Sequence, residues 1–484
     1  MRRISPGLPQ PLHDIEATRR IESAALAALP PHTLMQRAGT AVARLALALA
    51  PHARTVWIAC GPGNNGGDGL EAAVALRQRG LRVVVTRIGD AARRPADAQA
   101  SLARAQSISI EFADEPPARF DLAIDALLGI GRQRPLDGML AAWARHMNGA
   151  GAPVLAIDTP SGLDADRGSL IGGTAAPAVR ATHTLSLLTL KPGLFTAEGR
   201  DHAGDIWLDE LGLPPDDGSA CAWLSGAPRA ARQVHASHKG SHGDVGVIGG
   251  AAGMSGAAVL AARAALHAGA GRVFLALLDA ADIAIPPDPE CMLRAPDQLD
   301  LERSSIACGC GGGTAIAQVL PAVLAAARRL VLDADALNAV AAEPSFQEAL
   351  ARRGRDARAT VLTPHPLEAA RLLGCSTSEI QADRLLAAGT LARRYGCVVV
   401  LKGSGTVIAQ PSGLACINPT GNARLATAGT GDVLAGLIAA RLAAPSATVF
   451  EAACAAVYEH GRLADEWPAG EALTASRLAA RLQR

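Results

Sequence analysis

Nine residues near the start of the chain, Gly61 to Gly69 (GPGNNGGDG), combine five glycines with three polar side chains. Glycines let backbone N–H groups approach a phosphate, and a helix that begins after such a loop adds the positive end of its dipole. The oxygens of Asn64, Asn65 and Asp68 could hold a ligand or a monovalent cation. The alternative, a tight strand-to-helix turn without a ligand, is disfavoured by so many polar and glycine residues together.

Two aspartates stand where predicted strands end. Asp125 leads into the loop GIGRQRP, and Asp158 leads into TPSG. Either residue alone could be a helix cap. Because the carboxyl ends of parallel strands meet in one crevice, we expect these loops and the glycine-rich loop to converge on a single site.

A second set of chemical groups lies near the C-terminus. The segment Thr427 to Gly436 (TAGTGDVLAG) places glycines before a predicted helix and Asp432 just inside it. The glycine amides form an anion hole, and a carboxylate beside it can accept the proton of a hydroxyl that attacks phosphorus. This pattern resembles the G-x-G-D signature of ribokinase-like kinases. The alternative role for Asp432 is a favourable charge in the first turn of the helix.

Lysine is rare in this chain. Only Lys191, Lys239 and Lys402 are lysines among 46 basic residues, and each stands next to glycine or Pro-Gly. Apart from chance, this indicates sites where a planar guanidinium cannot replace an ammonium. Lys402 follows the strand-like run VVVL and could meet nucleotide phosphates. His365, between two prolines and in the same predicted loop as Glu368, is more suited to a ligand contact than to a core.

Two α/β blocks must position these residues, since β-branched runs alternate with segments of helical period and imply parallel sheets covered by helices. In the first block we predict a loop over Gly61–Gly69 and a helix over Leu70–Arg79. The predicted strands are Thr55–Ala59, Leu81–Ile88, Asp121–Ala126 and Val154–Ile157 in the first block, and Asp244–Ile248, Arg272–Leu278, Ser305–Ala307, Arg329–Leu332, Thr360–Leu362 and Val398–Leu401 in the second.

Composition excludes several classes of protein. The net charge of +1 and an aromatic content of 3% argue against nucleic-acid binding. Apolar stretches are too short for a membrane span, and Met1 to Gln10 lacks the apolar region of a signal peptide. The nine cysteines are scattered, and Cys308 and Cys310 lack the partners of a zinc site. We therefore expect a cytoplasmic protein with no membrane or nucleic-acid partner.

Residues 10 to 212 resemble the NAD(P)H-hydrate epimerase domain through LMQRAG, GPGNNGGDG, DALLGIGRQRPLDG and IDTPSGLDAD. The resemblance implies a Rossmann-like three-layer α/β/α fold, a potassium ion held by Asn65, Asp125 and Ser161, and proton transfer at C6 of the hydrated ring by Asp158 as catalytic residue. Ile130 and Thr159 depart from the family pattern without removing a charged group. The implied substrate contacts are Asn64, Asn65, Gly66, Gly67, Asp68, Gly129, Ile130, Gly131, Arg132, Gln133, Arg134, Pro135 and Asp158.

From about residue 235 to the C-terminus the chain resembles the ADP-dependent NAD(P)H-hydrate dehydratase domain, which implies a ribokinase-like α/β fold. The motifs are HKGSHGDVGVIGG, GMSGAAVLAARAALHAGAG, DADALN, TPHPLE, LKGSGTV, NPTGN and GTGDVLAG. Asp432 is the implied catalytic residue. The implied substrate contacts are Ala257, Gly311, His365 and Asp432, and the nucleotide contacts are Lys402, Gly403, Ser404, Gly405, Thr406 and Gly431. Two departures are Gly309-Cys-Gly-Gly-Gly313 in place of a G-P-G turn, and Leu367 in place of glycine.

Together the two resemblances imply a bifunctional repair enzyme with an epimerase domain at 1–215, a linker at 216–234 and a dehydratase domain at 235–484. The implied ligands are hydrated NADH or NADPH, ADP as co-substrate, K⁺ in the N-terminal domain and Mg²⁺ in the C-terminal domain, and we expect a homo-oligomer. The alternative is a ribokinase-like kinase of a small molecule, such as a vitamin alcohol, with a non-catalytic N-terminal binding module. That alternative leaves the N-terminal polar set unexplained.

Overall fold

A computed structural model describes residues 1–131, 134–214, 216, 218–228, 235–279, 288–444 and 448–482. It divides into two compact units, Met1–Ser5 with Gln10–Ala222 and Pro6–Pro9 with Trp223–Arg484. None of the helices in these ranges is long and apolar enough to cross a bilayer. The division falls inside the predicted linker 216–234, and the domain boundaries at 215 and 235 stay predictions.

The first unit is built on a sheet of eight strands with the order β1-β9-β8-β7-β6-β3-β4-β5. Neighbouring strands run parallel except β1, which pairs antiparallel with β9. The strands are β1 (Arg2–Arg3), β2 (Gln10–Leu12), β3 (Thr55–Cys60), β4 (Arg82–Arg87), β5 (Glu111–Ala113), β6 (Leu122–Ala126), β7 (Val154–Ile157), β8 (His183–Leu187) and β9 (Asp205–Asp209), of which β2 lies outside this sheet. The helices are α1 (Ile15–Ala28), α2 (Thr33–Leu49), α3 (Asn64–Gln78), α4 (Ala96–Ser107), α5 (Gly138–Gly149) and α6 (Gly199–His202).

Both faces of this sheet are covered by helices. Successive side chains of a strand point to opposite faces, and in β3 the side chains of Val56 and Ile58 pack in one core with α2 and α3. Trp57 and Ala59, which alternate with them, pack in a second core with α5. The unit is therefore a three-layer α/β/α domain.

The second unit contains a longer sheet whose order includes β13-β12-β11-β14-β15-β16-β17-β18-β19. The strands from β13 to β17 in this order are parallel, and β18 and β19 continue as antiparallel strands. The strands are β10 (Ala222–Leu224), β11 (Asp244–Gly249), β12 (Arg272–Leu277), β13 (Cys291–Leu293), β14 (Ser305–Cys308), β15 (Arg329–Leu332), β16 (Ala359–Leu362), β17 (Val398–Leu401), β18 (Val407–Ala409) and β19 (Ala415–Ile417). The helices are α7 (Ser255–His267), α8 (Ile316–Ala326), α9 (Ala334–Ala342), α10 (Pro344–Arg355), α11 (Pro366–Leu373), α12 (Thr377–Ala382), α13 (Arg384–Tyr395), α14 (Thr430–Ala443), α15 (Val449–Asp465) and α16 (Ala475–Ala480).

The strand order in each unit creates one crevice. In the first unit β3 has β4 on one side and β6 on the other, and in the second unit β11 lies between β12 and β14. The chain connections on the two sides of β3, and on the two sides of β11, run in opposite directions. The loops at the carboxyl end of each strand therefore diverge and leave space for a ligand. The predicted site loops follow β3, β6 and β7 in one unit and β11, β14, β16 and β17 in the other.

All ten predicted strands are present, with ends that differ by no more than a residue or two, but three local expectations are wrong. Six of the nine residues of the predicted loop Gly61–Gly69 are helical, because α3 begins at Asn64 rather than at Leu70. A strand, β10, lies in the predicted linker. Glu368 lies in helix α11 rather than in a proline-constrained loop, because Pro366 occupies the first helical position, where its missing N–H costs nothing.

Candidate active sites

The glycine-rich segment brings the start of helix α3 close to the sheet. A Cβ atom on Gly66 would lie 2.1 Å from the Gly61 carbonyl oxygen, and one on Gly67 would lie 2.6 Å from the Met35 sulfur. Packing against the backbone therefore requires glycine at position 66, whatever ligand the loop binds, whereas a side chain at position 67 would first displace the flexible end of Met35. Asn64 is exposed and Asn65 is partly buried at the beginning of the helix, where the first backbone N–H groups have no partners within the helix and favour an anion.

Asp125 and Ser161, two of the three predicted potassium ligands, are in direct contact. Asp125 is fully buried, and it accepts hydrogen bonds from Ser161 Oγ at 2.7 Å, Ser161 N at 2.8 Å and Leu127 N at 3.1 Å. Burial raises the pKa of Asp125 to about 6, despite these hydrogen bonds. The third predicted ligand, Asn65, lies against Gly129, and its Nδ2 is buried without a hydrogen-bond partner in the described structure.

Asp158 is held by a buried lysine. Its backbone is left-handed, with φ of 67°, a conformation that costs a non-glycine residue about 1–2 kcal/mol. Its N–H donates to the Leu185 carbonyl at 2.7 Å, and its Oδ1 forms an ion pair with Lys191 Nζ. Sequence reasoning singled out Lys191 as one of three lysines but did not place it in the site.

The charge of Asp158 affects the pKa values of two further carboxyl groups. Burial, and then that charge, raise the pKa of Glu22 in α1. The same two causes raise the pKa of Asp68 in α3 well above its ordinary value. Glu22 and Asp68 therefore belong to the electrostatic environment of Asp158. Glu22 was missed by sequence reasoning, since it stands within an ordinary amphipathic helix and no local motif marks it.

The loop after β6 is tied to helix α1. Arg19 Nη2 donates to the carbonyl oxygens of Ile130 at 2.9 Å and Gly131 at 2.7 Å. The described part of this predicted substrate loop also contains Gly129, Arg134 and Pro135, whereas Arg132 and Gln133 lie outside the described residues. Helix α1 thus orients both the loop and Glu22.

In the second unit, Asp432 lies in the first turn of α14, as predicted. Gly429, with φ of 88°, precedes the helix. Burial, and then the charge of Asp333, raise the pKa of Asp432 to about 6. His460 of α15 donates from Nε2 to the Thr430 carbonyl at 2.9 Å, and burial lowers the pKa of His460 to about 4, so this imidazole is neutral. The helix N-terminus is therefore fixed from behind by a side chain that carries no charge.

Lys402 connects the predicted nucleotide loop to this helix. Its Nζ donates to Asp333 Oδ1 at 2.7 Å and would lie 3.4 Å from a Cβ on Gly431. Burial alone would lower the pKa of Lys402, but the charges of Asp333 and Glu368 outweigh it and raise that pKa. Arg384 supports the loop backbone through the carbonyl of Lys402 at 3.1 Å. Gly403, Ser404, Gly405 and Thr406 form the turn between β17 and β18.

His365 is the N-cap of helix α11. Its Nδ1 accepts hydrogen bonds from Leu367 N at 3.1 Å and Glu368 N at 3.2 Å, while the Glu368 carboxylate accepts one from His365 N at 2.7 Å. Burial, reduced in effect by Lys402, raises the pKa of Glu368 to about 7. Since His365 Nδ1 is an acceptor, the proton of the neutral ring is on Nε2, which lies 3.2 Å from Glu368 Oε1. A substrate contact of His365 stays a prediction.

The Gly309–Gly313 turn brings the remaining predicted substrate contacts together. A Cβ on Gly311 would lie 2.9 Å from the Ala257 Cβ, and Gly311, with φ of 59°, accepts a hydrogen bond from Ala251 N at 2.7 Å. Cys310 occupies the centre of the turn, fully buried, with its sulfur 3.9 Å from Asp333 Oδ2. Cys310, Asp333 and Asp432 present ligand atoms that all lie within 4.8 Å of one another.

Asp333 and Glu368 are the residues of the second site that sequence reasoning did not assign. Asp333 had a signal available, because it follows strand β15 as Asp158 follows β7. The same argument from strand ends, applied to the second block, would have found it. Thr363 Oγ1 donates to Asp333 Oδ1 at 2.7 Å and holds this carboxylate at the crevice.

Both units are similar to known protein families. Residues 245–484 match the family model described as NAD(P)H-hydrate dehydratase, and residues 31–193 match the model described as the YjeF-related protein N-terminus. The bifunctional NAD(P)H-hydrate repair enzyme Nnr of Escherichia coli is 37% identical over 473 residues, which cover 92% of this chain and 87% of that protein. The chain belongs to the family of bifunctional NAD(P)H-hydrate repair enzymes.

A second bifunctional repair enzyme shows the same full-length likeness, and a dehydratase of known structure is similar to about half of the chain. Nnr of Coxiella burnetii is 36% identical and covers 90% of both chains. The crystal structure of the ADP/ATP-dependent NAD(P)H-hydrate dehydratase of Bacillus subtilis, co-crystallised with ATP/Mg²⁺, is 33% identical, covers 51% of this chain and 90% of that one, and has a TM-score of 0.44.

Family membership confirms the predicted fold class and function. The protein is an enzyme with a Rossmann-like epimerase domain followed by a ribokinase-like dehydratase domain. The alternative of a vitamin-type kinase with a non-catalytic N-terminal module is disfavoured, because the likeness to repair enzymes spans both domains.

Proposed function

We propose that the two crevices divide the repair of hydrated NADH and NADPH between them, with Asp158 carrying epimerisation and Asp432 carrying ADP-dependent dehydration. The observation that supports this most directly is that each aspartate lies at a crevice of its own unit, Asp158 paired with Lys191 and Asp432 next to Asp333, the partner of Lys402. Asn64 to Asp68, Gly129 to Pro135 and Asp158 bind the hydrate in the first unit. Ala257, Gly311, His365 and Asp432 bind it in the second.

Epimerisation requires C6 of the hydrate to lose and regain its configuration. C6 carries the hydroxyl and is bonded to ring N1, so Asp158 acts by removing the hydroxyl proton. The O–H electrons then form C6=O while the C6–N1 bond breaks and its electron pair moves to N1. Rotation about C5–C6, attack of N1 on the other face and return of the proton from Asp158 give the second epimer, with no net change in atoms or electrons.

The residues around Asp125 fit a bound potassium ion. Asp125 is a buried carboxylate without a cationic partner in the described structure, and Ser161 and Asn65 add a hydroxyl and an amide. K⁺ bound there would neutralise the buried carboxylate and fix the loop after β6. Asp125, Ser161 and Asn65 would hold it.

Dehydration requires the hydroxyl to become a better leaving group. Asp432 takes the hydroxyl proton while the oxygen attacks the β-phosphorus of ADP, and the bond from that phosphorus to AMP breaks. Amides at Gly429 and Gly431 stabilise the charge on the transferring group. Loss of the C5 proton and of phosphate from C6 then forms C5=C6 and gives NAD(P)H, AMP and phosphate.

Lys402 to Thr406, together with Gly431, bind the nucleotide phosphates. Asp333 fits a role at Mg²⁺, which prefers oxygen ligands and is commonly held by one or two carboxylates and the substrate phosphates. Bound Mg²⁺ would screen the phosphate charges. The thiol of Cys310 does not suit this ion, and burial raises its pKa well above the ordinary value.

The decisive experiment supplies purified protein with mixed epimers of the NADH hydrate and either ADP or ATP, and follows the absorbance of NADH. We expect complete recovery with ADP. Asp158→Asn limits recovery to the share of one epimer, and Asp432→Asn abolishes it, so that each variant is the control for the other. No recovery with either nucleotide would overturn the proposal.

We place the enzyme in the cytoplasm, as a homo-oligomer. The nine cysteines are all unpaired, which suits a reducing compartment that contains the nicotinamide and adenine nucleotides. Size-exclusion chromatography with light scattering tests the oligomeric state.

A further inference from the structure

Lys191 has no contact with solvent, and three of its contacts saturate its ammonium group. Nζ pairs with Asp158 Oδ1 and donates to the carbonyl oxygens of Leu187 at 2.7 Å and Thr189 at 3.1 Å. An ammonium has three donors, so these partners account for all of them. A neutral amine could not satisfy the carboxylate and both carbonyls at once, and the arrangement therefore requires the charged form.

The contacts of Asp158 are one-sided. In the part of the chain that the structure describes, the hydrogen bonds to its carboxylate end on Oδ1, from Lys191 and from Leu187 N at 3.3 Å. Oδ2 is left for another donor. Since Leu187 contributes its N–H to Asp158 and its carbonyl to Lys191, the two side chains are fixed by the same turn of backbone after β8.

The other charged groups near this pair come from α1 and α3. Glu22 and Asp68 respond to the charge of Asp158, and Arg19 and Lys191 act on Glu22. Burial and the charge of Asp158 raise the pKa values of Glu22 and Asp68. Lys191 is the cation in contact with Asp158. An arginine would need space for a planar fork in this closed setting, which agrees with the survival of lysine in an arginine-rich chain.

We propose that Lys191 is a positioning residue for epimerisation, which places its positive charge against Asp158 Oδ1 and directs Oδ2 toward the substrate hydroxyl. This inference rests on the proposed role of Asp158 as the proton acceptor. Lys191 itself does not touch the substrate, since its three donors are all occupied.

The test measures epimer exchange in the full-length chain without ADP, so that dehydration does not interfere. One isolated epimer of the NADH hydrate is supplied and its partner is followed by chromatography from acidic to alkaline pH. The variants are Lys191→Met, Lys191→Gln, Asp158→Asn, and Asp158→Asn combined with Lys191→Met. Lys239→Met, which removes an exposed lysine of the other unit, is the matched control.

We expect Lys191→Met to lower kcat for exchange roughly 100-fold at neutral pH with little change in KM, and to move the acidic limb of the pH profile to higher pH. Lys191→Gln, which keeps hydrogen-bond donors but not the charge, should move that limb in the same direction as Lys191→Met. Adding Lys191→Met to Asp158→Asn should cause no further loss, because Lys191 acts through Asp158.

The roles of Asp158 and Lys191 can be contradicted independently of each other. If Asp158→Asn retains exchange, the proposed function of Asp158 fails. If Asp158→Asn abolishes exchange while Lys191→Met leaves the pH profile in place, only the role of Lys191 fails. Dehydratase activity of the same preparations, together with thermal unfolding, shows whether Lys191→Met still folds, and Lys191→Gln carries the test if it does not.

Discussion

Both units place a lysine beside aspartates at the carboxyl edge of a parallel sheet, but the pairing differs. In the first unit Lys191 contacts Asp158, the proposed proton acceptor, directly. In the second unit Lys402 contacts Asp333, while the proposed acceptor Asp432 lies next to that carboxylate. Lys191 thus pairs directly with the proposed acceptor Asp158. Asp432, the proposed acceptor of the second unit, has no such pairing and lies near the negative charge of Asp333.

The difference suits the two reactions. Asp432 has a pKa raised to about 6 by burial and by Asp333, close to the range in which a general base exchanges protons efficiently. A lysine bound to Asp432 would also lie where the phosphate must pass, whereas on Asp333 it stands beside Gly431 and can meet that phosphate. The two sites therefore differ in the position of the lysine relative to the proposed base, and not in whether a lysine is present.

The largest expected effect comes from removing Lys402. In Lys402→Met the buried carboxylate of Asp333 loses its partner, and the free energy of unfolding of the second unit should fall by about 3 kcal/mol. ADP-dependent dehydration should fall about 100-fold, whereas epimer exchange should persist. Thermal unfolding and the two assays check this, with Lys239→Met as control. Equal loss of both activities would show that the two lysines do not serve separate sites.

The pH profile of dehydration sharpens the comparison. Asp432 accepts a proton only when ionised, so kcat should fall about tenfold for each pH unit below about 6. Asp333→Asn removes the like charge that raises the pKa of Asp432, and should move this limb to lower pH. Rates of NADH formation at saturating ADP, measured over a range of pH, give the profile of the unmodified protein and that of Asp333→Asn. If the acidic limb of the pH profile stays in place in Asp333→Asn, the charge of Asp333 does not raise the pKa of Asp432.

Replacement of potassium should affect the first site alone. Exchange of K⁺ for a bulky organic cation should slow epimer exchange about tenfold, because the buried charge of Asp125 is then unbalanced. Dehydration should change less than about twofold. Asp125→Asn should remove the response to K⁺ at the same time as it lowers exchange. A potassium response that survives in Asp125→Asn would place the ion elsewhere.

The smallest expected effect is at Cys310, where the chain departs from its family pattern. Burial keeps this thiol protonated, so it acts as a small apolar side chain with a weak contact to Asp333. Cys310→Ala should change dehydration by less than about threefold and the free energy of unfolding by about 1 kcal/mol. A much larger loss of activity at unchanged stability would assign the thiol a chemical role.

Much of both sites follows from local patterns. Alternation of strands and helices predicts parallel sheets, and Asp125, Asp158 and Asp432 stand at strand or helix ends that such sheets bring to one edge. The contact between Asp125 and Ser161, although 36 residues separate them, follows from the adjacency of β6 and β7. The start of α3 was misplaced because its glycines look like a loop, whereas they serve close packing against Gly61 and Met35.

The sequence by itself determined the chemical groups, the order of the elements and the family, since strand ends, glycine spacing and the scarcity of lysine are properties of the chain. Only the tertiary structure decided which carboxylate each lysine neutralises and which carboxyl groups share the crevice with Asp158. Glu22 comes from a helix far away in sequence, and Lys402 reaches Asp333 across 69 residues. The physical reason is that burial and distance set these charge interactions, and both depend on packing between elements.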